Sequence, residues 1–448
     1  MLERSISLRQ AIVYGVGVIL GAGIYALIGQ AAAIAGNLVW LAFIVAAIIA
    51  LLTAFSYAEL SARFPKESAE AVYAQKAFGK KWFAFFIGFV SLIVMLLSAS
   101  AVALGFASYF KYFFPLPSLL VAILVIIICS IINFFGIQES VKLNNIFTFI
   151  EALGLILIIV FGLQFVGSVN LFEGPSGLNI FESIAPLFSS IALIFFAYLG
   201  FEQIANISEE IVNPKKNVPL AIVLSLIIAT IIYILVAIVA VSVVTPTQLG
   251  LASGGGISEG PLALVATNSI GPGFGFWLSI IALFATGNTI LILLIVSSRI
   301  LYGLSEQKLL PKCLSICHKK TKTPYVAIAV SAGIGILFLF FGNLEQLGNL
   351  TTLGTFLLFF VVNVALIALR LKEKKIVSKV KSPFNIGYIP LLAVVGALFC
   401  GFMFFTQYWQ TINILGFELP MFVFGVIVFA LAFPIHWAFD LYISKRKK

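Results

Sequence analysis

The sequence predicts an all-α integral membrane protein of twelve transmembrane helices, arranged as two oppositely oriented sets of five and a terminal pair. Three observations carry this reading. Hydrophobic residues make up 62% of 448 and charged residues 10%, which leaves too little polar surface for a water-solvated globule. Apolar runs recur at lengths that cross about 30 Å of hydrocarbon, at about 1.5 Å rise per residue. Two of those runs are interrupted, one early and one near mid-chain, where an ordinary span would stay continuous.

The expected spans are 10–35, 38–60, 82–108, 119–136, 144–167, 184–206, 218–244, 276–303, 325–342, 347–370, 388–407 and 416–437. The first is too long and too glycine-interrupted for a cleavable signal peptide. With the amino terminus inside, the inner loops collect Arg63, Lys66, Lys76, Lys80, Lys81, Lys142, Lys215, Lys216, the clusters at 308–322 and 370–381, and the terminal Lys-Arg-Lys-Lys. Of 27 Lys and Arg residues, Lys111 alone falls in an outer loop. Positive charge marks the cytoplasmic side, so both termini are expected in the cytoplasm of a multi-pass cell-membrane protein. The net charge of +10 follows the membrane and is no nucleic-acid footprint.

Residues 9–167 form the first set of five spans, 184–370 the second and 388–437 the accessory pair, all in one transmembrane domain covering 1–448. An odd number of spans per set places the second set upside down, the inverted repeat of many carriers. Residues 61–80 are basic and amphipathic, suited to a helix on the inner membrane face. Residues 245–275 form a long outer loop, partly helical around 261–268, either a lid or a simple connection.

The first interrupted run is GVGVILGAGIYALIG (Gly15 to Gly29) and the second FFAYLGFEQIANISEE (Phe195 to Glu210). Glycine in a helix interior costs about 1 kcal/mol against alanine, so Gly17, Gly21 and Gly23 disfavour a regular span. Unwound backbone in a bilayer needs partners. At Gly21-Ala22-Gly23 the N–H groups opening the second half-helix suit a carboxylate. At Ala197-Tyr198-Leu199-Gly200 the carbonyls closing the first half-helix suit an ammonium group. Facing each other, the breaks would bind a zwitterion without a charged side chain. The alternative is that these glycines serve only close helix packing.

Two intramembrane carboxylates stand out, because charge there is costly. Glu151 lies on the order of 13 Å deep in the fifth span with no cation beside it in sequence. It is expected to bind a proton or metal ion, or else to fix helix packing through hydrogen bonds. Glu202 follows the second break and is read either as a gate or as a structural partner of unwound backbone. Phe196 and Tyr198 flank that break as candidate aromatic gates. Arg299, near the inner end of the eighth span, is expected to pair with Glu209 or Glu210, or to snorkel.

Cys129 and Cys400 read as packing residues. Cys313, Cys317 and His318 supply three candidate ligands with no fourth, too few for a structural zinc site, and no cofactor is expected. Paired aspartates, an HExxH motif and histidine clusters are missing, which disfavours a membrane-embedded enzyme. Few membrane charges disfavour a redox-driven pump.

GVGVILGAGIYALIG resembles the first-helix signature of the amino acid–polyamine–organocation superfamily, and FFAYLGFE with EEIVNPKKNVPLAI resembles its sixth-helix pattern. SSRILYGLSEQKLLP is similar to the end of the eighth helix, and LGTFLLFFVVNVALIALR to the tenth. The resemblance covers nearly all of 6–437. It implies the leucine-transporter-type fold and transport of amino acids by alternating access. Carried over, a substrate carboxylate would meet Ala22, Gly23 and Ile24 with Ile19 nearby. The amine would meet carbonyls of Phe196, Ala197 and Leu199, and Tyr198 and Leu199 would line the side-chain pocket or gate. The chain departs from the family where several members carry a lysine on helix 5 and this one has Glu151. Glu151 would then carry the proton itself, or bind a cation with Asn288 or Thr289. PKESAEAVYAQKAFG also replaces the family's PESGGxYVYxxxAFG, losing a glycine pair near the inner gate.

Neutral pocket residues favour a neutral amino acid, moved by proton symport with sodium as the alternative coupling ion. Exchange, cationic amino acid or polyamine uptake, and a non-transporting sensor on the same fold remain the other readings.

Overall fold

The protein is described here by a computed structural model. It covers residues 4–434 except 112, 180, 254–259, 343, 375–379, 407–410 and 415–416. The chain begins with a reciprocal cap. Ser7 accepts from the Gln10 backbone while the Gln10 side chain accepts from Ser7, and α1 (Leu8–Leu20) follows. It stops at Gly21, and α2 (Ala22–Ala35) resumes at once. Gly36, at φ +64°, turns the chain into α3 (Val39–Arg63).

After α3 come α4 (Ala69–Phe78), α5 (Lys81–Lys111), α6 (Ser118–Phe135) and α7 (Ile137–Gly162). The second interrupted run forms α8 (Ile184–Phe195), a single tight turn at Phe196–Tyr198, extended Leu199, and the short α9 (Gln203–Asn206). Next are α10 (Pro214–Val243), α11 (Pro246–Ser253), α12 (Pro261–Ser269) and α13 (Phe274–Glu306). Pro214 and Pro261 each sit in a first turn, where the missing N–H costs nothing. The chain then forms α14 (Tyr325–Phe338), α15 (Leu344–Glu373), the hairpin β1–β2 (Asn385–Ile386 with Ile389–Pro390) and α16 (Leu391–Thr406). A second hairpin, β3–β4 (Thr411–Ile414 with Phe417–Pro420), precedes α17 (Met421–Ala430).

Among the described residues, nine helical stretches are long and apolar enough to cross a membrane, and three shorter apolar helices accompany them. Their outer faces confirm the solvent they require. On α6, Leu120, Leu124, Ile127, Ile128 and Ile131 are exposed at helical spacing; on α7, Phe149, Leu153, Ile156 and Val160 do the same. Such continuous apolar stripes would be insoluble in water and match lipid. By contrast α5 and α13 are apolar nearly all round and mostly buried, the pattern of central helices. The protein is a multi-pass membrane protein.

Three expectations are corrected. The segment 61–80 is helical only over Ala69–Phe78, and that helix packs into the bundle, with Ala69 to Ala74 all buried. Its anchor is Glu70, which accepts from Tyr57 (3.0 Å), Asn206 (3.1 Å) and Ser91 (3.3 Å). The last expected span, 416–437, begins as a strand, because 417–420 pair with 411–414, and its final residues lie outside those described. Finally, α7 starts seven residues before the expected 144, as Ile137 shows.

Two arginines are fully buried. Arg370 on α15 grips Glu59 on α3 through two parallel hydrogen bonds, Nε to Oε1 at 2.9 Å and Nη2 to Oε2. The Ser382 backbone and the Asn385 side chain complete the site at 2.8 and 2.5 Å. Buried pairs of this kind contribute little net energy, yet removing one partner strands the other. Arg370→Ala should cost about 3–5 kcal/mol of stability. It should lower the thermal denaturation midpoint of the purified protein in detergent markedly, and an unchanged midpoint would show that the pair holds nothing.

Candidate substrate and coupling site

The two breaks meet at the centre of the bundle. A β-carbon placed on Gly23 would sit 2.6 Å from the Ala197 α-carbon, so the start of α2 and the turn after α8 touch backbone to backbone. Gly200 has φ +129°, open to glycine at little cost, and its α-carbon faces Val18, whose Cγ1 lies 2.5 Å from an added β-carbon. Gly21 packs against the Thr289 hydroxyl, and Gly17 against Thr148, Asn144 and Asn288. These glycines therefore do both things the sequence left open. Gly21 interrupts α1–α2 and Gly200 lies in the second break, while Gly17 inside α1 and Gly23 inside α2 admit close packing.

Backbone at the breaks finds partners from within the protein. The N-cap of α2 is Gly21, which offers no side-chain cap, so the first N–H groups, at Ala22, Gly23 and Ile24, stand at the break uncapped. The Tyr233 hydroxyl from α10 lies between the carbonyls of Ile19 and Ala197, 3.1 Å from the latter. One hydroxyl thus joins the C-terminal end of α1 to the second break. Glu202 accepts from the Gly200 N–H at 2.9 Å and from the Gln203 amide at 2.7 Å. It holds the extended Leu199–Gly200 segment in place.

Between the breaks lies a small cavity, about 30 Å³, room for one or two waters. From α1, α2 and the second break it is lined by Val18, Ile19, Gly23, Phe196, Ala197, Leu199, Glu202 and Gln203. Facing helices α5, α13 and α15 contribute Val94, Met95, Ser98, Val102, Thr289, Leu293, Thr351 and Thr355. The lining mixes aliphatic side chains with the hydroxyls of Ser98, Thr289, Thr351 and Thr355.

Of the residues singled out from sequence, Ile19, Gly23, Phe196, Ala197, Leu199, Glu202 and Thr289 come together on this cavity. Gly21 lies behind it against Thr289, and Ile24 is buried in the core. Ala22 opens α2, and its side chain lies outside the described set. Tyr198 turns the other way. Its hydroxyl donates to the Phe43 carbonyl at 3.0 Å and its ring packs edge-on to Phe43 and Tyr233, so in this conformation it does not line the cavity.

Glu151 and Asn288 form a separate polar pocket between α1, α7 and α13. Asn288 Nδ2 donates to Glu151 Oε1 and to Thr148 Oγ1, each at 3.3 Å, and the Tyr25 hydroxyl donates to the Glu151 carbonyl at 3.3 Å. Three buried oxygens here accept no hydrogen bond: Glu151 Oε2, Asn144 Oδ1 and Asn288 Oδ1. Gly17 of α1 forms its floor.

Sequence reasoning missed Tyr233, Asn144, Thr148, Met95, Ser98, Thr351 and Thr355. A lone tyrosine or threonine in an apolar run carries no mark of its partner. Asn144 alone had a signal, as an amide entering a span seven residues before Glu151, two helical turns away on the same face.

A family model described as amino acid permease matches residues 6–432. The chain belongs to the amino acid permease family. The Bacillus subtilis branched-chain amino acid permease BcaP is 29% identical over 438 residues, 92% of this chain and 90% of that protein. The methylthioribose transporter of the same bacterium is 29% identical over 428 residues, 89% and 87% of the two chains. The vacuolar cationic amino acid transporter 2 of Arabidopsis thaliana is 28% identical over 391 residues, 82% of this chain and 60% of that protein. This family placement supports amino acid transport by this permease. Its family is one of transporters and not of enzymes.

Tyr233→Phe leaves two break carbonyls without their hydroxyl and should destabilise the fold by about 1–3 kcal/mol. Equilibrium denaturation in mixed detergent measures this, and an unaltered midpoint would remove Tyr233 from the account.

Proposed function

We propose that this permease is a secondary active transporter that moves a neutral amino acid by alternating access, in symport with a proton. The observation that carries the proposal is the facing pair of helix breaks, with N–H donors uncapped by a side chain at the start of α2 and carbonyls at Phe196–Leu199 around one cavity. A carboxylate matches the first and an ammonium the second. The substrate carboxylate is assigned to Ala22, Gly23 and Ile24 beside Ile19. Its amine is assigned to the carbonyls of Phe196 and Leu199, with Ala197 shared with Tyr233. The aliphatic wall of Val18, Val94, Met95, Val102 and Leu293 favours an uncharged, apolar side chain, in keeping with the specificity printed in the name of BcaP. Because the cavity holds only one or two waters, a substrate enters by moving side chains apart, with Phe196 and Leu199 the nearest aromatic and aliphatic gates and Tyr198 released from Phe43 in the open form.

Coupling is assigned to Glu151. A buried carboxyl with one unpartnered oxygen and no cation among its hydrogen-bond partners draws a proton or a small cation. Its Oε1 meets Asn288 on α13, which in turn packs against Gly17 of α1, so its charge state bears through Asn288 on how the first half-helix sits against its neighbours. Asn288 positions it, Thr289 packs under Gly21, and Glu202 holds the second break. Twelve spans with a five-plus-five inverted repeat, both termini cytoplasmic, and residence in the cell membrane complete the proposal.

Uptake of a pooled, labelled amino-acid mixture into proteoliposomes tests it, with and without an inward proton gradient, for wild type and Glu151→Gln. The expected result is accumulation of a neutral amino acid driven by the gradient, lost in the variant while exchange persists. Equal, gradient-independent uptake by both proteins would contradict proton coupling through Glu151, and accumulation requiring sodium would move the ion assignment.

A further inference from the structure

At the end of the bundle that holds the amino terminus, two carboxylates are buried around one arginine. Glu67, between α3 and α4, is 2% exposed, and Glu210, after α9, is 1% exposed. Arg299 on α13 is fully buried and donates from Nη2 to Glu210 Oε1 at 3.2 Å, and from Nη1 to Asn133 Oδ1 at 2.8 Å and Ser298 Oγ at 2.9 Å. Glu67 receives no such bond from a cation. Its Oε1 accepts the Glu209 backbone N–H at 3.2 Å, and Oε2 of both Glu67 and Glu210 lacks a partner. One guanidinium thus faces two carboxylates, leaving one negative charge over in a buried place.

We propose that Glu67 and Glu210 together bind one proton, a second proton site distinct from Glu151, filled while this end of the bundle is closed. The site is built into the closure itself. The Glu210 carbonyl accepts the N–H groups of Ser5 and Ile6, each at 3.0 Å, and Val212 N–H returns to the Ile6 carbonyl at 2.9 Å. Glu67 holds the same loop from the other side through Glu209. The Gly303 α-carbon of α13 presses on the Glu67 backbone, whose carbonyl carbon lies 2.9 Å from an added β-carbon. Opening this end must part these contacts and admit water to Glu67.

The surroundings settle the direction. Burial raises the Glu67 carboxyl well above the usual carboxylate range, and the charges of Glu210 and Glu209 add to it, against opposition from Arg299. Burial also raises Glu210, with Arg299 opposing and Glu209 adding. Tyr14 of α1 lies within reach of Arg299, Glu210 and Glu67; Tyr302 of α13 lies near Glu67, and Cys317 near Arg299 and Glu210. Lys66 pairs with Glu209 at the surface, 3.1 Å away, so among the described residues Arg299 is the cation bonded to the pair. A carboxyl whose affinity for a proton is higher closed than open stabilises the closed form at acid pH. That stabilisation is complete below the ordinary glutamate value, about 4.3, and is lost as pH rises through the raised one. Acid therefore fastens this end and alkali loosens it. The inference rests on the transporter reading only for the statement that this end faces the cytoplasm, where the proton would be released on opening.

Hydrogen–deuterium exchange of the purified protein tests the site without substrate, gradient or membrane orientation, so its outcome is separate from the uptake result. The reporters are the amides of Ser5, Ile6 and Val212, read at about pH 4 and about pH 8.5 and always compared between proteins at equal pH. Wild type and Glu67→Gln should be alike at the acid value. At the alkaline value Glu67→Gln should be about tenfold better protected or more. Glu210→Gln leaves Arg299 to Glu67 and should flatten the pH dependence too, whereas Glu209→Gln, which removes only a neighbouring charge, should keep a pH dependence of the same sign and smaller size. Identical protection in wild type, Glu67→Gln and Glu210→Gln across the range would overturn the proposal. So would Glu67→Gln protection below wild type at both values, which makes Glu67 a structural strut.

Discussion

Backbone that leaves the helix inside hydrocarbon must have its N–H and C=O groups satisfied by the protein or by a ligand. The whole centre of this permease is arranged around that constraint. Two helices stop in mid-bundle, and the groups they free are answered in different ways. Glu202 answers the N–H of Gly200, and the Tyr233 hydroxyl serves the carbonyls of Ile19 and Ala197. The donors at the start of α2 have no side-chain cap. That asymmetry gives the cavity its character, since it offers donors that a ligand could use and acceptors that are partly engaged already.

Charge follows the same economy. Each buried ion sits where two or more helices must keep a fixed relation. Glu59 and Arg370 tie α3 to α15 and to the loop that follows. Arg299 and Glu210 tie α13 to the loop after α9, and Glu70 ties α4 to α9 through Asn206. Elements following the second break are thus held at three points, while α6, α7 and α10 each present an exposed apolar face. A carrier needs this division between a tied core and a compliant exterior, because alternating access moves whole groups of helices. Glu151, like Glu70 and Glu202, has no arginine or lysine among its hydrogen-bond partners, and its one side-chain partner is the amide of Asn288.

Much of this was legible in the chain because the bilayer is a severe solvent. It forces long apolar runs, so span positions agree with helices such as α3, α5 and α10 to within a few residues. It makes glycine interruptions conspicuous, so both breaks could be placed at Gly21 and at 197–200. Glu202 could be linked to the second break because its partner Gly200 is two residues away. Partners far apart in sequence left no trace. Glu59 and Arg370 are 311 residues apart and Tyr233 and Ile19 are 214. Arg299 was read with two candidate partners, and the structure selects Glu210, giving Glu209 to Lys66. Tyr198 turns away from the cavity in this conformation, which the sequence did not signal because adjacency to a break says nothing of which way a side chain turns. The helix 69–78 was set on the membrane face because its charges look amphipathic, yet buried Glu70 has three neutral donors that pull it inward.

The central claim is that backbone of the two breaks, and no charged side chain, holds both ends of a zwitterion. Competition against the amino acid this permease takes up most strongly addresses it directly. The competitors are the amide of that amino acid, which lacks the carboxylate, and its deaminated acid, which lacks the ammonium. Each missing charge-assisted group should weaken competition about tenfold to a hundredfold. If either analogue competes as well as the amino acid itself, the corresponding break is not the binding surface and the account fails at its centre.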